Sequence, residues 1–154
     1  MRVGIVPAIG SGLRTLGGQV GRTKRHFGAY RDAGHELDYF SYLSDDLAAH
    51  WDGVNVRANI WRMSARRLAF LRPLIEAGAW RRCDVLRATS LLGAVPCLVA
   101  RLAHGIPFIT SHGADYERIA EIHGHGHQRR KWRWLRRLAF RFAAAVIVPN
   151  PVDA

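Results

Sequence analysis

The 154-residue sequence has few cysteines, and their spacing argues against two common classes of small protein. Only Cys83 and Cys97 are present, fourteen positions apart and outside any Cys-x-x-Cys pattern. A disulfide-stapled secreted domain needs more cysteines, and a structural zinc site needs ligands in a closer and larger set. The pattern therefore favours a reducing, cytoplasmic environment.

The sequence also lacks an apolar segment long enough to cross a membrane. Its longest apolar run, Leu91 to Ala100, contains Pro96 and is well short of the roughly 20 residues that a spanning helix needs. The N-terminal MRVGIVPAIG is too short in its apolar part for a signal peptide and predicts a first β-strand. We therefore expect a cytoplasmic protein, with peripheral attachment to the inner face of the membrane left open.

Acidic residues are scarce as well. Twelve Asp and Glu stand against 23 Lys and Arg, which gives a formal net charge of +11. Such an excess favours anionic partners, which include nucleic acid, an acidic membrane and phosphorylated small molecules. The charge is concentrated in residues 129–141, RRKWRWLRRLAFR, which contain seven basic residues and no acid.

Short apolar runs alternate with longer helical patterns along the chain, which is typical of an α/β fold. The pattern predicts a single doubly wound, mostly parallel, Rossmann-like sheet. We place the strands at Arg2–Val6, 35–42, 54–58, 84–89, 106–111 and 144–150. We place the helices at 19–32, with a stop at Gly34, then at 62–77, 91–103 and 128–143, with Pro73 expected to kink or break the second of them.

Ligands of doubly wound folds bind at the carboxyl ends of the strands, so the loops that follow the strands are the candidate sites. The first loop is rich in glycine, but Thr15 interrupts the dinucleotide-binding fingerprint. Gly18-Gln19 likewise replaces the Lys-Ser/Thr of a phosphate-binding P-loop. Gly17 and Gly18, directly ahead of the predicted helix, remain either an anion-binding turn or a flexible turn.

The stretch ITSHGADYE (109–117) places His112 directly after a predicted strand. There it could hydrogen-bond substrate hydroxyl or carbonyl groups, or it could hydrogen-bond the backbone of its own loop. Asp115 could cap the next helix or contact substrate.

A histidine-rich segment, HGHGHQ (123–128), has some of the residues of a metal site. It does not set three imidazoles on one helix face and has no cysteine or carboxylate spaced to complete a zinc site, so we predict no metal.

The predicted helix at 128–143 has a cationic face, which could be solvated or could contact an anionic membrane. Nucleic acid is a less favoured partner because no nucleic-acid motif accompanies the helix. The candidate membrane-contact residues are Arg129, Arg130, Lys131, Arg133, Arg136 and Arg137.

The order and spacing of several segments resemble the N-terminal, acceptor-binding domain of family 4 glycosyltransferases, which have the two-domain GT-B fold. The segments are MRVGIV, LGGQVGRTKRHFGAYRDAGHELDYFSY, CDVLRATSLLGAVPCLVARLAHGIPFITSHGADYE and LRRLAFRFAAAVIVPN. Residues 43–80 carry little of this resemblance. The segment LRATS departs from the resemblance. Family members often have histidines there, so Arg87 and Thr89 replace the residues that would be expected to contact the acceptor.

The resemblance implies transfer of a sugar from a nucleotide-sugar donor, with retention of anomeric configuration. The acceptor would be lipid-linked or a polysaccharide precursor of cell-envelope glycan biosynthesis. His112 would contact the transferred sugar or the reacting centre. No metal or other cofactor is implied. Further substrate-binding residues would be Gly17, Gly18, Gln19, Ser90, Gly113 and Asp115.

The resemblance also implies a particular domain organisation. Residues 1–150 would form the N-terminal Rossmann-like domain, and 151–154 would begin the linker to a C-terminal donor-binding domain, present in cis or in trans. No two glutamates have the spacing of the family's Glu-x7-Glu element. We therefore expect the isolated chain to be an inactive fragment. The alternative is a non-enzymatic, basic Rossmann-like module that binds anionic membranes or nucleic acid.

Overall fold

A computed structural model shows one six-stranded sheet in which every strand pair is parallel. It describes residues 1–10, 27–44, 46, 53–111 and 126–148. The strands are β1 (Arg2–Val6), β2 (Glu36–Phe40), β3 (Val54–Arg57), β4 (Val85–Ala88), β5 (Phe108–Ser111) and β6 (Ala145–Ile147). The helices are α1 (helical over the described residues 27–32), α2 (Ala65–Ile75), α3 (Ala77–Trp80), α4 (Ala94–His104) and α5 (Gly126–Phe142).

The strand order is β3-β2-β1-β4-β5-β6, which is the order of a doubly wound Rossmann-like sheet. The chain builds outward from β1 to β3 and then returns to place β4 on the other side of β1. The predicted α/β fold class is therefore confirmed. The reversal between β1 and β4 is the topological switch point, where the loops that follow two adjacent strands diverge and leave a crevice.

Both faces of the sheet are covered by helices, as the apolar strands require. On one face, Trp80 of α3 stacks on Phe40 with ring centroids 4.2 Å apart, in a cluster that includes Phe108 and small residues of α4. On the other face, Phe27 of α1 packs edge-on against Tyr39 at 5.6 Å. A Cβ at Gly4 would lie 2.7 Å from Leu86 Cδ2 and 2.9 Å from Cys83 Sγ, so a larger residue there would force these core side chains to shift.

Two of the helices end at glycines with positive φ. Gly34, at φ +76°, follows the last turn of α1, which confirms the predicted stop. Gly105, at φ +75°, caps α4 and donates its N–H to Arg101 O at 3.0 Å. Glycine adopts this left-handed conformation at little steric cost, which lets the chain turn sharply back into the next strand.

The helix that was expected to kink or break at Pro73 is interrupted slightly after that residue. α2 runs through Pro73 and ends at Ile75, and α3 begins at Ala77. Neighbouring elements hold this region in place: Pro73 O hydrogen-bonds His104 Nε2 at 2.8 Å, which links α2 to α4.

Arg72 fixes α2 to the end of the sheet. Its guanidinium is 1% exposed and donates to Glu76 Oε2 at 2.9 Å, to Arg57 O at 2.7 Å and to Ala58 O at 3.1 Å. A further bond reaches Ser41 O. This charge is therefore paired with a carboxylate and almost fully hydrogen-bonded, as a buried arginine needs to be.

Candidate functional site

The carboxyl ends of β1, β4 and β5 meet at one edge of the sheet, beside the switch point. Thr89 donates its N–H to Val6 O at 3.0 Å, so the chain that leaves β4 remains bonded to the end of β1. The loop then crosses to the first turn of α4. This places residues 89–93 along the crevice in which ligands of this fold class bind.

Gly93 lets α4 begin directly against the end of β1. A Cβ at this position would lie 2.7 Å from Val6 O and 2.8 Å from Pro7 O. Both contacts are with backbone atoms, which cannot rotate away as a side chain could. Glycine is therefore required for the close approach of α4 to the crevice.

Ser90, named from the sequence as a candidate substrate-binding residue, lies on this loop. Its Oγ accepts a hydrogen bond from the Gly93 N–H at 3.2 Å, so it supports the turn that leads into α4. The side chain is half-buried. Its hydroxyl hydrogen remains available to an acceptor group in the crevice.

Arg87 is the charged side chain of β4 at this edge. It is 7% exposed and donates from Nη1 to Ala88 O at 2.9 Å and from Nη2 to Ser111 Oγ at 2.6 Å. Ala88 and Ser111 are the last residues of β4 and β5. The guanidinium therefore lies where these two adjacent strands end.

The remaining predicted substrate residues lie outside the described part of the chain. This applies to His112, Gly113 and Asp115, and also to Gly17, Gly18 and Gln19. In the sequence, His112 directly follows Ser111, the last residue of β5.

Neither cysteine is a reactive group. Cys83 and Cys97 are both free and buried. Burial, with a smaller contribution from Asp38, raises the pKa of the Cys83 thiol to about 12. Burial also raises the pKa of Cys97, although nearby Arg87 opposes the shift. Both thiols therefore stay protonated at neutral pH, and a protonated thiol is a poor nucleophile and metal ligand.

Within the residues that the structure describes, no group of three or more His, Cys, Asp or Glu side chains could hold a metal ion. The imidazoles of HGHGHQ fall outside the residues whose side chains are described.

The predicted membrane-contact residues lie on α5. Ala139 is buried and Trp132, Leu135 and Phe140 pack on the core, so this side of the helix faces the sheet. Among the six cations, Arg129, Arg130, Lys131 and Arg137 are exposed, while Arg133 and Arg136 are half-buried. Trp134 is 64% exposed on the same helix.

A second surface was not predicted. α2 buries Leu68, Ala69, Arg72 and Pro73, yet its outward side is also apolar. The outward residues Phe70, Leu71, Leu74 and Ile75 are 41 to 57% exposed, and exposed Arg66 and Arg67 precede them by one turn. We call this set, residues 66, 67, 70, 71, 74 and 75, the α2 face. α2 packs on α4, which in turn packs on α5, so the α2 face and the cations of α5 belong to the same layer of helices.

Among the helices of the described residues, none has the length and hydropathy needed to span a membrane.

A parallel sheet in the order 3-2-1-4-5-6, with a crevice at its switch point, defines an α/β protein of the Rossmann-like class. A family model described as a glycosyl transferase 4-like domain matches residues 17–154. The chain therefore belongs to the glycosyl transferase 4-like family, and the resemblance seen in its sequence is confirmed. Its sheet is the architecture expected of one half of a GT-B enzyme. A search of curated proteins finds no match.

In the sequence, Arg87 is noted only as a departure from the family pattern at a position of expected acceptor contacts, and it is not predicted as a site residue. A further signal was a single arginine among the apolar residues at the centre of the strand DVLRAT. The position of its guanidinium depends on β5 lying beside β4, which local sequence does not specify.

Proposed function

We propose that this domain is the acceptor-binding half of a retaining glycosyltransferase that uses a nucleotide-sugar donor. The observation that supports the proposal most is the family match to a doubly wound sheet whose β4–α4 loop and Ser111 border one crevice. Ser90 lies on that loop, and His112 is the next residue after Ser111. The donor nucleotide would be held chiefly by a second domain, supplied in cis or in trans.

The chemistry proposed for the crevice is positioning and electrostatic stabilisation. Two domains that close on donor and acceptor hold the acceptor hydroxyl against the anomeric carbon, which removes much of the entropic barrier. Charge builds up on the diphosphate leaving group and is stabilised by preorganised donors, most of which the partner domain would supply. In this scheme, His112 contacts the transferred sugar, and Gly17, Gly18 and Gln19 approach the donor or the acceptor. Gly113, Asp115 and Ser90 complete the substrate contacts, and no metal is needed.

The proposal predicts that transfer requires both halves. We expect residues 1–154 alone to release no nucleoside diphosphate from a panel of nucleotide sugars, with or without glycan and lipid-linked acceptors. The chain joined to or mixed with a donor-binding domain of the same family should release it only when an acceptor is present. A coupled assay for nucleoside diphosphate measures both cases. Robust sugar transfer by the isolated chain would contradict the proposal that a second domain must bind the donor.

We also propose that the domain docks on anionic membranes, which would bring it to a lipid-linked acceptor. The specific observation in favour is the α2 face, where four exposed apolar side chains follow two arginines. Apolar side chains flanked by cations suit the boundary between headgroups and acyl chains, and each cation near an anionic surface contributes about 1 kcal/mol. The cations of α5 would add to the attraction, since they lie in the same layer.

Vesicle co-sedimentation tests this docking. Wild-type protein should bind vesicles that contain phosphatidylglycerol and should not bind vesicles of phosphatidylcholine alone. The double variant Arg130→Ser/Arg137→Ser should weaken binding by about 30-fold, which corresponds to about 2 kcal/mol. The double variant Phe70→Ser/Leu74→Ser should weaken it comparably while leaving the charge unchanged. Arg31→Ser, on the opposite face of the sheet, is the control and should bind like the wild type.

Two kinds of result would contradict these proposals. Equal binding to both kinds of vesicle, or equal binding by all variants, would contradict docking through these surfaces. Tight, salt-sensitive binding to duplex DNA, together with no transfer by the completed enzyme, would favour the non-enzymatic basic module instead.

A further inference from the structure

Arg87 is a buried cation whose described surroundings do not neutralise it. A guanidinium stays charged at any pH that a folded protein meets, so burial of Arg87 at 7% exposure is costly unless an anion compensates the charge. Its two hydrogen bonds go to a carbonyl and a hydroxyl. Across the described ranges, Arg87 has no carboxylate within ion-pair distance.

Two other arginines of this domain are paired in the expected way. Arg72 donates to Glu76 at 2.9 Å, and Arg57 donates to buried Asp38 at 2.8 Å. The guanidinium is thus bonded to a carboxylate at both sites. Arg87 is the exception to this pattern, and it lies at the crevice.

The position of the guanidinium suits a ligand. Its two partners are the terminal residues of β4 and β5, so it lies at the carboxyl edge of the sheet, next to the loop that carries Ser90. Two bonds occupy two of about five N–H donors, and among the described residues nothing else accepts from the others, which have the geometry for the paired bonds that arginine makes with phosphate or carboxylate.

The first turn of α4 adds positive potential but few donors. It contains no acidic residue and no side-chain cap. Ala94 N–H bonds Leu91 O at 3.2 Å and Val95 N–H bonds Leu92 O at 3.4 Å, while Pro96 has no N–H. The helix terminus therefore favours an anion nearby through its dipole, whereas direct hydrogen bonds to that anion must come chiefly from Arg87.

We infer that Arg87 binds an oxyanion of the acceptor, a phosphate or a carboxylate group, at the carboxyl edge between β4 and β5. The inference rests on the proposed function, which it narrows to acceptors that carry a negative charge near the hydroxyl that reacts. Ser111 Oγ, at 2.6 Å, holds the guanidinium in position and is a positioning residue.

Titration of the full chain with inorganic phosphate at constant ionic strength, followed by arginine Nε–H resonances, tests the site. One resonance of the wild type should shift saturably. Arg87→Met should lose that resonance and bind phosphate at least about tenfold more weakly. Arg82→Met, which removes an exposed arginine outside both proposed binding surfaces, should bind like the wild type. Absence of a saturable shift in the wild type, or an equal affinity in Arg87→Met, would overturn the site.

A second variant guards against loss of the fold. Ser111→Ala keeps the charge and should weaken phosphate binding by about threefold or more, since the guanidinium loses one positioning bond. Circular dichroism of each variant checks the fold. If Arg87→Met does not fold, unchanged phosphate affinity in Ser111→Ala would overturn the site.

Parallel titrations separate the sources of the oxyanion. A hexose phosphate and a hexuronate represent acceptors, and a nucleoside diphosphate represents the donor product. Arg87-dependent binding of either sugar acid supports the inference. Arg87-dependent binding of the nucleoside diphosphate alone would overturn the assignment to the acceptor.

The binding assay requires no catalysis, so the two proposals fail in different ways. Sugar transfer by the completed enzyme without phosphate binding overturns the Arg87 site and leaves the proposed function standing. Phosphate binding without any transfer overturns the proposed function and, with it, the acceptor assignment.

Discussion

We expect replacement of His112 by alanine to lower turnover by about 100-fold or more in an enzyme completed with its donor-binding domain. The reason is the proposed position of the imidazole, directly after Ser111 at the edge of the sheet where β4 and β5 end. There it would hydrogen-bond the transferred sugar as charge develops at the anomeric carbon. Steady-state kinetics with saturating donor and acceptor measures the effect, which should fall mainly on kcat rather than on KM.

His35→Ala is the matched control. His35 precedes β2 and therefore lies at the amino edge of the parallel sheet, opposite the crevice. We expect its turnover to stay within about twofold of the wild type, since surface substitutions away from the site have small effects. A similar rate in the His112→Ala enzyme and the wild type would refute a role at the reacting centre.

Arg72→Met lowers the free energy of unfolding by about 3–5 kcal/mol. The substitution keeps an apolar stem but removes four hydrogen bonds, which leaves Ser41 O and Ala58 O buried without this donor and Glu76 without its cation. A loss of this size is a large part of the stability of a domain of this length. Urea unfolding followed by circular dichroism measures it.

Arg67→Met on the same helix separates this effect from a general loss of charge. Arg67 is exposed, so its replacement should change stability by no more than about 0.5 kcal/mol. Equal and small losses in the two variants would show that the Arg72 network does not hold α2 to the sheet.

The sequence supported prediction of the strands because each is a short apolar run between turn residues. β1 begins and ends at the predicted residues, and each of the other five strands lies inside its predicted range. The start of α2 was less predictable. It was placed at 62, but Arg62 has a φ of +49°, a left-handed conformation outside the helix, and α2 begins at Ala65. Nothing in the residue types around Arg62 signals that conformation.

The site was predictable to the level of loops and no further. The doubly wound pattern identified the carboxyl-edge loops, and the structure places Ser90 on one of them. The buried position of Arg87 depends on contacts across β4 and β5, which join residues 24 positions apart. The α2 face was missed for a related reason: α2 is apolar on two sides, and only tertiary packing decides which side is buried.

The anomeric configuration of the first product shows whether this domain is half of a retaining glycosyltransferase. Donor of known configuration is incubated with acceptor and the completed enzyme, and the proton coupling at the anomeric carbon is recorded before the product can equilibrate. We expect the configuration of the donor to be retained and no product to form when residues 1–154 are left out. An inverted product, or the same product formed without this domain, would contradict the proposed function.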